Sequence, residues 1–290
     1  MYTIGIDIGG TKMKVGMFDE KKQLIQVDEI KTPKEAIIET ICGAIKSVIH
    51  ESRLQGIGIA TAGIVDVKKG KITSAANVPE FVNLPLVQRL EETFHVPVAI
   101  ANDANSAALA EGKVGAAVDA KSYICAAIGT GIGGGIIHNG ELVHGNNGYG
   151  GEIGHMIIEP NGKQCGCGKK GCWETYASGR ALERMIQEDP VLTKENLHPR
   201  ELFENYAKNE SCREIVDAFI NYLSIGISNL QYVFDPEMIV IGGGVIESSE
   251  YWWEMVVENI KNHSSIPVNL RQAQLKNDAS MIGASFLTER

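Results

Sequence analysis

The chain has 290 residues, 44% of them hydrophobic and 22% charged, a globular composition long enough for two lobes and too long for a small disulfide-stapled fold. Asp plus Glu outnumber Lys plus Arg by 36 to 27, and the formal charge of −9 opposes nonspecific attraction to phosphate polymers or anionic lipid, so neither nucleic acid nor membrane is expected as a partner. The 32 glycines, about 11% against a usual value near 7%, predict loops of special backbone geometry.

Residues 3–18 read as a strand, a tight turn at Gly9-Gly10-Thr11 and a returning strand, with Asp7 just ahead of the turn. This start lacks the basic and apolar regions of a signal peptide, which predicts a cytoplasmic protein. Ile37, Ile38, Ile41, Ile45, Val48 and Ile49 recur at helical spacing, with Pro33 expected in the first turn. A buried strand is expected over 57–62, a helix over 84–94, a strand over 97–101 and a helix over 104–111, directly after Asn102 and Asp103. This is α/β alternation.

The strand-glycine-strand figure returns at 123–140, where an apolar run leads into Gly129-Thr130-Gly131-Ile132-Gly133-Gly134-Gly135 and then to Asn139-Gly140. Gly129, Gly131 and Gly134 fit G-x-G-x-x-G. A dinucleotide site would need a helix next, however, and Asn139-Gly140 marks a hairpin between strands instead. The Walker P-loop and the protein-kinase motifs are absent. The uncharged stretch 122–140 is too interrupted by glycine for a bilayer span. Helices are predicted at 179–188, 199–208 and 213–234, then a strand over 238–241 that ends in Gly242-Gly243-Gly244, then a helix over 250–261. Open α/β sheets hold ligands at such strand ends.

Turns without side chains let backbone N–H groups approach an anion, so the three glycine turns are candidate phosphate cradles, and Asp7 could hold Mg²⁺ through water beside them. Each turn alone is equally well a plain hairpin. Asp103 could accept a proton from a hydroxyl nucleophile that Asn102 orients. Asn and Asp are also natural N-caps for the helix that follows, and sequence alone favours the cap.

Cys165, Cys167 and Cys172 fall within eight residues, and His155 ten residues upstream completes a Cys₃His set suited to structural zinc. A redox pair or plain buried thiols are the alternatives. The separate Cys42, Cys125 and Cys212 sit in apolar patterns and are expected in the core. Glu152 precedes His155 by three residues and Glu174 follows Cys172 by two, so metal would gather both; two carboxylates and an imidazole N–H suit a polyol. The other reading is a surface glutamate pair around a purely structural histidine.

Taken together, Asp7-Ile8-Gly9-Gly10-Thr11-Lys12, Asn102-Asp103, 129–135, Gly151-Glu152-Ile153-Gly154-His155 and 165–174 resemble, in this order over almost the whole chain, the ROK family of sugar kinases and sugar-responsive repressors. The resemblance implies an α/β, actin-like (ribonuclease-H-like) duplicated fold, with two lobes around an active-site cleft. The lobes would be 1–117, with a C-terminal helix at 277–290 packing back on it, and 118–276 with the zinc segment. It implies ATP-dependent phosphorylation of a sugar 6-hydroxyl, with Asp103 as base and with Asn102, Glu152, His155 and Glu174 on the sugar hydroxyls. Asp7, Gly9, Gly10, Thr11, Lys12, Gly129, Thr130, Gly131, Gly133 and Gly134 would serve the phosphates of ATP with Mg²⁺, and Gly242, Gly243 and Gly244 would border the adenosine. Zinc would sit on His155, Cys165, Cys167 and Cys172, and the family's habit is a homodimer.

Glucokinases of the family often carry a glutamate before the Asn-Asp pair, where this chain has Ala101, and 152–179 also looks like N-acetylmannosamine kinases. Retained Glu152, as in glucose-using members, places glucose slightly ahead. The family's repressors carry a helix-turn-helix module ahead of the sugar domain; Asp7 so near the start leaves no room for one, which leaves a non-catalytic sugar sensor as the rival to an enzyme.

Overall fold

The structure, a computed structural model, describes residues 1–49, 53–195 and 197–289. The elements begin with β1 (Tyr2–Ile8), β2 (Lys12–Phe18), β3 (Leu24–Lys31), α1 (Ile37–Ile49), β4 (Leu54–Thr61), β5 (Ile64–Asp66) and β6 (Lys71–Ser74). They continue with α2 (Leu86–Phe94), β7 (Val98–Asn102), α3 (Asp103–Val114), β8 (Tyr123–Ile128), β9 (Ile132–His138) and β10 (Glu141–Leu142). The rest are α4 (Gly179–Glu188), α5 (Leu192–Glu195), α6 (Pro199–Glu204), α7 (Glu210–Phe234), β11 (Met238–Gly242), α8 (Ser249–Ile260), β12 (Leu270–Gln272) and α9 (Ala279–Ala284). Two compact units result: Met1–Asp119 with Gly135–Gly151 and Leu275–Arg290, and Ala120–Gly134 with Glu152–Gln274.

The first unit is built on a sheet of order β3-β2-β1-β4-β7, antiparallel across the first three strands and parallel across the last three. Central β1 puts Ile4, Ile6 and Ile8 on one face, all fully buried, each contributing about 1.5–3 kcal/mol of transfer free energy, while Thr3, Gly5 and Asp7 alternate onto the other. α1 lays Ile41, Ile45 and Val48 into the same core. It starts at Ile37 rather than near Pro33, because Ala36 has φ +46°, outside the right-handed helical region. The edge strand β3 and the small β5–β6 ribbon were not expected from the sequence.

The predicted C-terminal helix is shorter than 277–290: α9 covers Ala279–Ala284 after a 3₁₀ turn at Lys276–Asp278, and residue 290 lies outside the described residues. α9 touches the sheet backbone to backbone, since a Cβ on Gly58 of β4 would stand 1.7 Å from the Ala284 carbonyl. Only glycine admits that approach. α9 also meets α3, where Ser280 Oγ donates to the Asp103 carbonyl at 3.2 Å.

The second five-stranded sheet has the order β10-β9-β8-β11-β12, with β8, β11 and β12 parallel. Setting aside the β5–β6 ribbon, each sheet reads third-second-first-fourth-fifth along its own stretch of chain. The plan is duplicated, as the repeated strand-glycine-strand figure suggested. Asn139 and Gly140 both adopt positive φ in the β9–β10 hairpin, as a type I′ turn requires. α4 spans the predicted 179–188; α6 stops at Glu204, short of 208, and α7 starts at Glu210, where Asn209 caps it by accepting from the Cys212 N–H. Among the described residues no helix is long and apolar enough to cross a membrane.

Candidate active site

In the first unit, β1 ends in the turn that holds Gly9 and Gly10, closed by a hydrogen bond from Gly9 N–H to the Lys12 carbonyl at 3.0 Å. Thr32 Oγ1 donates to the Gly9 carbonyl at 2.7 Å, and Thr32 N–H donates to the Thr11 carbonyl at 3.0 Å, so the turn is fixed from β3's end. Lys12 departs from its expected place: its ammonium lies 2.5 Å from Glu29 on β3 rather than over the turn, in an exposed pair worth little.

β7 delivers Asn102 and Asp103 to the start of α3. The cap is Asn102, whose Oδ1 accepts from Ala104 N–H at 2.8 Å and Asn105 N–H at 3.2 Å while its Nδ2 donates to the Gly63 carbonyl. Asp103 is the first helical residue and spends Oδ1 on Ala104 N–H at 2.8 Å. Burial pushes its carboxyl above the usual carboxylate range, although the nearby N–H groups and Asn102 act the other way.

Asp7 is pushed up to about 6, first by burial and then by Asp103, with its cross-strand partner Lys14 opposing and Asp278 adding to the rise. A carboxyl raised in the fold above its usual 3.8 costs stability when ionised, a cost present above pH about 6 and gone below the unfolded value. Asp7→Asn is therefore expected to stabilise the chain near neutral pH by about 2–3 kcal/mol, read as a higher denaturant midpoint. A lower midpoint for Asp7→Asn would show that the carboxylate is needed by the fold.

In the second unit, His155 ends a 3₁₀ turn over Ile153–His155 whose N-cap position is Glu152. The segment 163–172 then doubles back: Gly168 N–H bonds the Cys165 carbonyl, Cys165 N–H the Lys169 carbonyl and Gly171 N–H the Lys163 carbonyl. Glycines at 168 and 171 take the positive φ that this reversal needs. The result gathers His155, Cys165, Cys167 and Cys172 with ligand atoms all within 4.8 Å of one another.

Cys167 Sγ is 3.6 Å from Cys172 Sγ, and Cys165 Sγ is 3.7 Å from His155 Nδ1, spacings that a tetrahedral ion with about 2.3 Å sulfur bonds would bridge. Without metal the thiols differ: burial raises those of Cys165 and Cys172, while the Lys169 N–H lowers that of exposed Cys167. Three sulfurs and one imidazole form a closed donor set, so the residues fit a structural metal.

The same cluster draws in both glutamates. Cys165 Sγ donates to Glu174 Oε1 at 3.1 Å, and Glu174 Oε1 is 3.6 Å from His155 Nδ1. His155 Nε2 points the other way, 3.8 Å from Glu152 Oε2. Glu174 also abuts the second glycine turn: a Cβ on Gly131 would stand 2.4 Å from its Oε2. That turn holds itself by Gly129 N–H to the Gly131 carbonyl and receives Gly179 N–H, from the first turn of α4, on the Gly129 carbonyl at 2.8 Å. Thr130 completes it, and Gly133 and Gly134 lie in β9. At the end of β11, Gly243 packs on the backbone of Ile128, one residue before Gly129, and Gly244 opens a 3₁₀ turn.

The first unit thus assembles Asp7, the Gly9-Gly10 turn, Asn102 and Asp103; the second assembles the metal set, Glu152, Glu174 and the turns at Gly129 and Gly243. Sequence reasoning missed Thr32, and it missed Asn77, whose Cβ and carbonyl stand 3.2 Å from where a Cβ on Gly10 would be. No local pattern marks either residue, because each meets its turn across intervening chain.

Two five-strand sheets of one topology, each with a glycine turn between its first and second strands, and a Cys₃His cluster define an actin-like α/β protein able to bind a structural metal. The chain belongs to the ROK family, whose sequence profile matches residues 3–290. It is 33% identical over 307 aligned positions to a glucokinase of Streptomyces coelicolor, covering 98% of this chain and 96% of the relative. An N-acetylmannosamine kinase of Haemophilus influenzae is 30% identical, over 99% of this chain and 95% of that one. Among solved structures, a ROK family glucokinase from Streptomyces griseus in complex with glucose and AMPPNP superposes with a TM-score of 0.81 at 32% identity, covering 99% of each chain.

Proposed function

We propose that the chain is an ATP-dependent sugar kinase that phosphorylates the 6-hydroxyl of a hexose, with glucose the leading acceptor. One observation carries this reading: Asn102 supplies the helix cap, so Asp103 is not needed for that task, yet a carboxylate is kept there beside Asp7 against the cost of its burial. A base of this kind takes the proton of the attacking hydroxyl as its oxygen bonds the γ-phosphorus and the bond to the β-phosphate oxygen breaks, releasing ADP. The N–H groups of Gly9 and Gly129 are spent within their own turns, so the turn N–H groups that follow them receive phosphate oxygens, and Asp7 faces the accompanying Mg²⁺ through water. The glucose and AMPPNP in the Streptomyces griseus relative support both ligands.

Glu152 and Glu174 accept from sugar hydroxyls, and His155 offers Nε2–H to another while Nδ1 faces the sulfurs. Zinc, when bound by His155, Cys165, Cys167 and Cys172, would supply folding free energy to this segment and fix the imidazole's tautomer.

N-acetylmannosamine is the second acceptor to test, favoured by Ala101 before the Asn-Asp pair and by the Haemophilus influenzae relative. An ADP-coupled assay with ATP against glucose, mannose, fructose, N-acetylglucosamine and N-acetylmannosamine is expected to give the highest kcat/KM for glucose. A maximum on N-acetylmannosamine would replace glucose in this reading. Sugar binding by calorimetry without turnover on any of the five would make the chain a non-catalytic sensor.

A further inference from the structure

Helix α4 follows directly on the segment that carries Glu174, and its side chains reach back to that segment. Arg184 Nη2 donates to the carbonyl of Thr175, the residue after Glu174, at 2.7 Å. One turn later, Glu188 receives Lys163 Nζ on both carboxylate oxygens at 2.9 Å and lies 3.5 Å from Arg184 Nε. Lys163 and Thr175 flank the three cysteines, so one helix ties the metal segment at both ends. Thr175 Oγ1 also donates to the Cys172 carbonyl at 2.6 Å, which joins the arginine's acceptor to the last sulfur residue.

The two ties differ in strength. Lys163 and Glu188 are about half exposed, where an ion pair gains little over hydration. Arg184 is only 27% exposed, lines a groove together with Tyr176 and Tyr222, and makes a charge-assisted bond to a neutral carbonyl. Its helix is anchored in turn, because Ser178 Oγ caps it and Gly179 N–H is bonded to the Gly129 carbonyl. Arg184 therefore stands on an element fixed to the very turn that Glu174 touches at Gly131.

We propose that Arg184 is a positioning residue for the sugar: through the Thr175 carbonyl it sets the backbone from which Glu174 reaches the substrate, a restraint separate from the metal. The inference rests on the sugar-kinase reading above.

Arg184→Met keeps most of the stem and removes the donor. It is expected to raise the sugar KM on the order of tenfold, the scale of one charged hydrogen bond, with kcat, the KM for ATP and the zinc content unchanged. Arg184→Lys, which returns one donor, should recover part of the loss, and Lys163→Met should leave all four quantities as in wild type. A sugar KM for Arg184→Met equal to that of the wild type would overturn the proposal. So would a loss of zinc with a joint decline of kcat and both KM values, the pattern of general structural support. A wild-type chain inactive on every sugar tested would reject the kinase reading itself and this inference with it, whereas an active wild type with an unmoved sugar KM rejects the positioning role alone.

Discussion

Asp103→Asn is expected to lower kcat by about a hundred- to ten-thousand-fold while leaving sugar affinity, measured by calorimetry, within a few-fold of wild type. The amide retains the shape of the carboxylate and the acceptor for Ala104 N–H, and Asn102 still caps α3, so the fold keeps its local hydrogen bonds. What is lost is the capacity to take a proton. Because burial raises the Asp103 carboxyl, the wild-type rate should fall as pH drops through a value above the ordinary carboxylate range, as protonation of Asp103 removes the base. The same burial penalises the ionised form in the fold, so near neutral pH the amide variant should unfold no more easily than wild type. A variant with most of its rate would place the base elsewhere and leave Asp103 as an ordinary first-turn acid.

Cys172→Ser should produce the other large effect. Cys172 is almost wholly buried and is bridged to Ile157, so a hydroxyl in its place costs a metal ligand at a point where the segment cannot open to water. One zinc per chain is expected in the wild type and none in the variant, with a drop of several degrees or more in melting temperature, since structural zinc contributes folding free energy directly. Sugar affinity should fall with it. Zinc binding requires the Cys165 thiolate, which has no proton to give Glu174; in the metal-free chain that thiol donates to Glu174 Oε1 and occupies the carboxylate.

His155→Cys separates the two tasks of the imidazole. A fourth sulfur should retain zinc and melt near wild type, yet lose the Nε2–H donor, so that the sugar KM rises with little change in the KM for ATP. Metal analysis beside the kinetics decides between these outcomes. A wild-type chain that is metal-free and fully active would exclude the zinc assignment, and unchanged sugar kinetics in a zinc-loaded His155→Cys would make His155 a ligand only.

Asp103 and the Cys₃His set both stand out along the chain, for reasons that differ. The Cys₃His set is legible because its ligands lie within a short segment: the doubling back at 163–172 is driven by local hydrogen bonds and by glycines that accept positive φ. Asp103 is legible only as one of two candidates, since Asn and Asp at the head of a helix compete for the same amide protons. That choice falls to Asn102 through its third bond, from Nδ2 to the carbonyl of Gly63, which lies between β4 and β5, 39 residues away.

Elements whose cause is local can be read along the chain. These are the two strand-glycine-strand figures, the turn at Asn139-Gly140, the apolar spacing of α1 and the span of α4 behind its Ser178 cap. It takes the packed fold to make the half-polar segment Leu24–Lys31 a strand, because its hydrogen bonds are made to β2 and not within itself. The packed fold alone directed Lys12 to Glu29, set His155 with Nδ1 toward sulfur and Nε2 toward Glu152, and put Arg184 on the carbonyl beside Glu174. Backbone propensity and turn chemistry act over a few residues and are written in order along the chain. The orientation of a side chain is settled by whichever partner the packed fold brings within about 3 Å, and that partner has no fixed distance in sequence.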